Sequence, residues 1–153
     1  MAGSNRSILM KAFFDTNVYI VAMRHGSNSL EYQLLFKNLP RTYLASVVSG
    51  ELHAGCMDDI GLQQVRQFTR RAEKTRRIVT PTHASWNRAG AILAKIVGNE
   101  PKYRTKAAGL FLDILIALSA VQIGAIVYTA NRGDFHLIRR YHPFSLQVVN
   151  KGV

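Results

Sequence analysis

Apolar residues along this chain come in short blocks whose period changes, and the changes mark its elements. Leu9–Phe14 is an apolar run closed by Asp15, the pattern of a buried first strand. Asn17 to Met23 returns to helical spacing and stops near His25-Gly26, and Leu30 to Phe36 repeats that spacing until Pro40 ends it. Tyr43-Leu44-Ala45 reads as a second strand. It feeds a helix carrying Val47, Val48, Glu51 and Leu52, with Ser46 as its cap and Gly55 just past its end. Gly61 to Glu73 places Leu62, Val65, Phe68 and Ala72 on one helical stripe. Ile78-Val79 is a brief third strand stopped by Pro81, and Ala84 to Val97 is again amphipathic. Beyond the polar, basic connector GNEPKYRTK at 98–106, a helix apolar on every side runs from about Gly109 to Val121. A strand at 125–129, a short helix around 134–140 and a last strand at 146–149 complete the series.

Strands separated by helices predict an α/β fold, a three-layer α/β/α sandwich around a mainly parallel sheet of about five strands. The 153 residues suffice for one domain with its own core, and no repeat or low-complexity tract divides them, so 1–153 is read as one domain. Ala107 to Tyr128 needs a membrane test, because Asp113, Ser119 and Gln122 are its only clearly polar members. An Asp in a spanning helix costs about 2.5–3.5 kcal/mol, and Gly109 and Gly124 weaken the helix further. Breaking the stretch at Gln122-Ile123-Gly124 gives a buried helix and a β-branched strand instead, so no membrane span is expected. The apolar run near the N-terminus is too short for a signal peptide and is interrupted by Lys11. The one cysteine, Cys56, excludes an intramolecular disulfide and fits a reducing, cytoplasmic compartment.

Charge sharpens the picture. Twenty Lys and Arg face nine Asp and Glu, a net charge of +11 that favours a polyanionic partner such as nucleic acid. The densest cluster, RQFTRRAEKTRR at 66–77, is either the solvated face of a helix or a phosphate track.

Among so few acids, position is informative. Glu31, Asp58, Asp59, Glu73 and Glu100 stand in polar surroundings and need no special role. The other four stand beside apolar runs. Asp15 falls at the carboxyl end of the first strand, where open parallel sheets bind ligands. Glu51 follows the second strand, Asp134 follows the strand at 125–129, and Asp113 interrupts Leu110 to Leu118, where an ionised carboxylate needs a cation. Each has an ordinary explanation: a helix cap for Asp15 and Asp134, a solvent-facing site for Glu51, an arginine partner for Asp113. Together they point to one rim of the sheet, where mutual repulsion calls for a hard cation, Mg²⁺ or Mn²⁺. The histidines at 25, 53, 83, 136 and 142 have no paired spacing and read as surface or packing residues.

Four segments carry a resemblance: Phe13-Phe14-Asp15-Thr16-Asn17, Ser49-Gly50-Glu51-Leu52 with Gly55, Asp113-Ile114-Leu115-Ile116-Ala117 with Ala120, and Thr129-Ala130-Asn131-Arg132-Gly133-Asp134-Phe135. In this order and spacing the chain resembles the PIN-domain family and, within it, the VapC-type toxins. The resemblance implies a parallel sheet between helices and a Mg²⁺- or Mn²⁺-dependent ribonuclease. It also implies a homodimer and a small antitoxin that blocks the site. Carried over by position, Asp15, Glu51, Asp113 and Asp134 are the metal carboxylates, with Thr16, Asn17, Thr129 and Asn131 as polar support. The wider family often has an acid where this chain has Asn131, which leaves one or two ions open. Lys106, Arg132 and the 66–77 cluster would hold the RNA backbone. A housekeeping processing nuclease and a non-catalytic binding module are the alternatives. An aspartyl-nucleophile phosphatase would need a second Asp where Asn17 stands.

Overall fold

The computed structural model describes residues 10–149. Five strands, β1 (Ala12–Phe14), β2 (Thr42–Ala45), β3 (Ile78–Val79), β4 (Ile126–Thr129) and β5 (Ser145–Val148), form one sheet in the order β3-β2-β1-β4-β5, with every pairing parallel. Seven α-helices connect them among the described residues: α1 (Thr16–His25), α2 (Leu30–Lys37), α3 (Ser46–Ala54), α4 (Asp59–Lys74), α5 (His83–Asn99), α6 (Ala107–Ile123) and α7 (Arg132–Tyr141).

Right-handed crossovers place α1–α4 on one face of the sheet and α5–α7 on the other. Within these groups α1 meets α2 and α3, α3 meets α4, and α6 meets α5 and α7, while α3 and α6 also touch each other. Helices on both faces explain why β1 is buried at all three residues and reads as unbroken apolar sequence. The core is one cluster reaching from Phe13 and Phe14 through Leu35, Ile96 and Ile114–Ile116 to Phe135 and Ile138. Each such side chain contributes about 1.5–3 kcal/mol by leaving water.

The predicted elements all form, with altered ends. Leu9, placed in the first strand by its apolarity, lies outside the described residues. Ser46 is not the cap of α3. Its hydroxyl donates to the Val79 carbonyl at 3.3 Å, and Ala45 caps without a side-chain bond. The connector before α6 is a 3₁₀ turn, Pro101–Lys106, rather than an irregular loop. Together that turn and α6 are long and apolar enough to cross a membrane. Here α6 packs instead on α3, α5, α7, β2 and β4. Gly124 stops it at φ 66°, a left-handed position that suits glycine. Glu31, read as a residue in polar surroundings, is 1% exposed, and its Oε1 has no hydrogen-bond partner among the described residues. A single acid among apolar neighbours on a short helix gave no periodicity from which that burial could be read.

Candidate active site

Strand order reverses between β1 and β4, and the crevice outside their carboxyl ends is the ligand position of a doubly wound sheet. Asp15 sits there because β1 ends at Phe14, which is in register with Tyr128, and its N–H donates to the Tyr128 carbonyl at 2.9 Å. It is 3% exposed, and both its oxygens are engaged. Oδ1 accepts the Thr16 N–H at 2.7 Å, which caps α1, and Oδ2 accepts the Thr129 hydroxyl at 2.9 Å. The ordinary role as helix cap and the site role therefore coincide.

Glu51 reaches the same place from α3, its Oε1 accepting the Thr16 hydroxyl at 2.9 Å. Asp134 arrives from the first turn of α7. Sequence suggested that it caps a helix beginning at Phe135; the helix begins earlier, at Arg132, and Asn131 caps it by accepting the Asp134 N–H at 3.3 Å. The Asp134 side chain is thereby freed for the cleft, where Oδ2 accepts the Asn131 amide at 2.9 Å and Oδ1 lies 3.6 Å from Lys106 Nζ. Asp113 projects from α6 with no hydrogen bond or ion pair among the described residues, so the arginine partner its burial would ordinarily require is absent there.

These four acids, with Thr16, Asn17, Asn131 and Lys106, line one cleft of about 370 Å³. Thr129 supports it from behind, fully buried. Arg132 is exposed and is not part of the cleft wall, and no histidine lines it.

Electrostatics separates the acids. Burial pushes the Asp113 carboxyl up to about 8, and the charges of Asp15, Asp134 and Glu51 add to the rise against a smaller opposing effect of Lys106. Burial likewise raises Asp15, to about 6, while the bonds from Thr129 and Thr16 hold it down and the charges of Glu51 and Asp134 push it up. Among the described residues Lys106 is the one cation in the cleft wall. Its side chain is 62% exposed, so its pairing with Asp134 is worth little.

The donors are all oxygen, which suits Mg²⁺ or Mn²⁺ and not the nitrogen and sulfur preference of zinc. Among the described residues no three or more acidic, histidine or cysteine side chains lie close enough together to hold a metal ion by themselves. Mg²⁺ keeps several waters and takes one or two carboxylates directly, so an open ring of acids fits it.

No protein-family model matches the chain, and no curated protein matches it significantly. Solved structures do share its fold. DNA-bound VapBC from Salmonella typhimurium aligns with a TM-score of 0.64 at 19% identity, covering 92% of this chain and 98% of that one. VapBC2 from Rickettsia felis, bound to a DNA fragment from its promoter, gives 0.55 at 19% identity over 92% and 100% of the two chains. FitAcB from Neisseria gonorrhoeae gives 0.55 at 22% identity over 88% and 95%.

Proposed function

We propose that this chain is a PIN-type endoribonuclease that hydrolyses RNA phosphodiester bonds with Mg²⁺ or Mn²⁺ and acts as the toxin of a toxin–antitoxin pair. The observation that carries the reading is the gathering of Asp15, Glu51, Asp113 and Asp134, from four separate elements, around one cleft where burial and the other three charges push Asp113 up. Likeness of fold to the VapBC and FitAcB structures is consistent with it.

Asp15, Glu51, Asp113 and Asp134 would hold the cation, which when bound supplies Lewis acidity at the phosphate and a bound water of lowered pKa. The chain's own residues do the rest. Thr129 and the Thr16 N–H fix the Asp15 carboxylate, and the Thr16 hydroxyl fixes Glu51, so the anionic wall is set before substrate arrives. Lys106, at the cleft mouth, attracts the incoming phosphodiester, and Asn17 offers an exposed amide beside it. No side chain serves as nucleophile. Water adds to phosphorus, the bond to the leaving ribose oxygen breaks, and that oxygen takes up a proton.

An antitoxin partner would have a surface to cover. An apolar groove of about 340 Å³ shares Ile20 and Glu51 with the cleft and continues along Met23, Met57 and Ile60. Met57 is 93% and Ile60 72% exposed. Apolar side chains this open, next to a catalytic cleft, suit a partner that covers both. A homodimer belongs to the same reading, and exposed Trp86, packed on Phe111, is an apolar patch available to it.

Incubating a mixed RNA pool with the protein in Mg²⁺, Mn²⁺ or EDTA and mapping the new ends tests the activity. Cleavage with either ion, its loss in EDTA, and its loss in a folded Asp113→Asn variant are the expected results. Equal cleavage by wild type and variant would remove the site. Growth arrest on expression without a partner tests the toxin role, and unimpeded growth with abundant protein would favour a housekeeping nuclease.

A further inference from the structure

At the opposite edge of the sheet lies a second cavity, of about 160 Å³, lined by Tyr19, Phe68, Leu44 and Pro40 with Arg71 and Arg77 as its cationic wall. Thr42, also in the wall, is level with Ala12 in the sheet, three residues before Asp15. From there the cavity reaches Leu44, one residue beyond the Phe13–Tyr43 pair, and so extends along the strands toward the cleft.

The end of α4 builds it. Arg76 takes a left-handed φ of 56°, its N–H donating to the Glu73 carbonyl at 3.1 Å and that of Arg77 to the Ala72 carbonyl at 2.7 Å. The turn sends Arg77 back across the segment before β2. There its guanidinium donates to the Pro40 carbonyl and lies 5.5 Å from the Tyr43 ring centroid. Tyr19 and Phe68 meet edge to face at 5.5 Å and give the cavity aromatic walls.

Size and chemistry narrow the occupant. A dry engineered cavity of about 150 Å³ accepts benzene, so a volume of about 160 Å³ suits a single six-membered ring. Tyr19 is 2% exposed overall, and its hydroxyl, which makes no hydrogen bond among the described residues, is not among the buried polar atoms left without a partner there, so it is open to solvent or a ligand. Burial pushes that phenol up, so it stays a neutral donor. Arg71 is exposed and has no acidic partner among the described residues.

We propose that this cavity receives one pyrimidine base of a single-stranded RNA, with the Tyr19 hydroxyl donating to the O2 carbonyl shared by uracil and cytosine and Arg71 holding the adjoining phosphate. Splayed bases set against aromatic side chains beside an arginine are an ordinary mode of single-strand recognition. The inference rests on the reading of RNA as substrate and gives that substrate a sequence preference set outside the cleft.

The test measures binding of labelled oligouridine, oligocytidine and oligoadenosine to full-length Asp113→Asn protein in EDTA, so that no cleavage intervenes. Pyrimidine tracts are expected to bind about tenfold tighter than oligoadenosine. Tyr19→Phe should abolish that preference without weakening oligoadenosine. Arg71→Ala should lower the salt slope by about 0.7, as for one lost phosphate contact, while Arg70→Ala, in the same basic run but outside the cavity wall, keeps the preference. Aromatic NMR shifts of Tyr19 and Phe68 on adding uridine monophosphate, and not adenosine monophosphate, supply a readout that needs no variant. Equal binding of the three tracts, or a preference that survives Tyr19→Phe, would overturn the proposal and leave a water-filled cavity only. Metal-dependent cleavage without pyrimidine preference sinks the cavity alone; pyrimidine preference without cleavage sinks the nuclease alone.

Discussion

The two edges of the sheet hold opposite excesses of charge and meet the repulsion differently. At the carboxyl edge, Asp15, Glu51, Asp113 and Asp134 converge in a cleft, and two of them are driven far from ordinary carboxylate behaviour. At the amino edge, Arg71 in the last turn of α4 and Arg76 and Arg77 in the turn after it belong to a basic run that mostly faces water. Water screens those charges, so crowding them is cheap. The acids are half or wholly buried, so crowding them stores free energy that a proton or a cation releases. Burial, more than charge count, separates a solvated face from a reactive one.

Replacing the most perturbed acid breaks the comparison most sharply. Asp113 holds its proton more tightly folded than unfolded, because its folded pKa is about 8 against an ordinary 3.8. The folded state therefore binds more protons between those values, and its stability falls as pH rises through that window. Without divalent cation, Asp113→Asn is expected to raise stability at both of two pH values, less at about pH 6, part-way through that window, than at about pH 9, above it. Urea unfolding at both pH values checks this, and a variant destabilised at both would mean that the carboxylate is structurally paired.

Thr129→Val sharpens the same edge. It removes the bond at 2.9 Å to Asp15 Oδ2 and leaves the Asn131 N–H, 2.9 Å from the same hydroxyl, without its acceptor. A loss of about 1–3 kcal/mol is expected, with Asp15 rising further, seen as a carbon-13 carboxyl titration moved to higher pH. An unmoved titration would show that Thr129 only packs.

The smallest effect lies at the other edge. Arg76→Gly relieves the left-handed strain and is expected to stabilise by about 1 kcal/mol. The same change removes one cation and should weaken RNA binding slightly. Unfolding and binding measured together would expose that trade; a destabilised variant would mean that the Arg76 side chain holds the turn.

Much of this was legible in the chain. The alternation of strand and helix, the four misplaced acids and the break after Gln122 each have a local signature, because apolar period and turn residues reveal themselves within a few positions. The contributions of Asp113 and Asp15 could be anticipated from their apolar neighbours alone. Other features depend on distant segments. Asn131, not Asp134, caps α7, because the helix starts three residues before Phe135. Arg132, expected to hold the RNA backbone, opens that helix and stays in solvent outside the cleft wall. Glu31 is buried by packing that no nearby residue announces, and the cavity beside Tyr19 joins four elements separated in sequence.

Thermal unfolding with Mn²⁺ tests the central claim most directly, comparing wild type and Asp113→Asn at about pH 6 and about pH 9. A cation that takes the place of the Asp113 proton should stabilise wild type at both values and more at the higher one, where no proton competes. The variant should show little of that gain. An identical Mn²⁺ effect in both proteins, or none in wild type at either pH, would contradict the account.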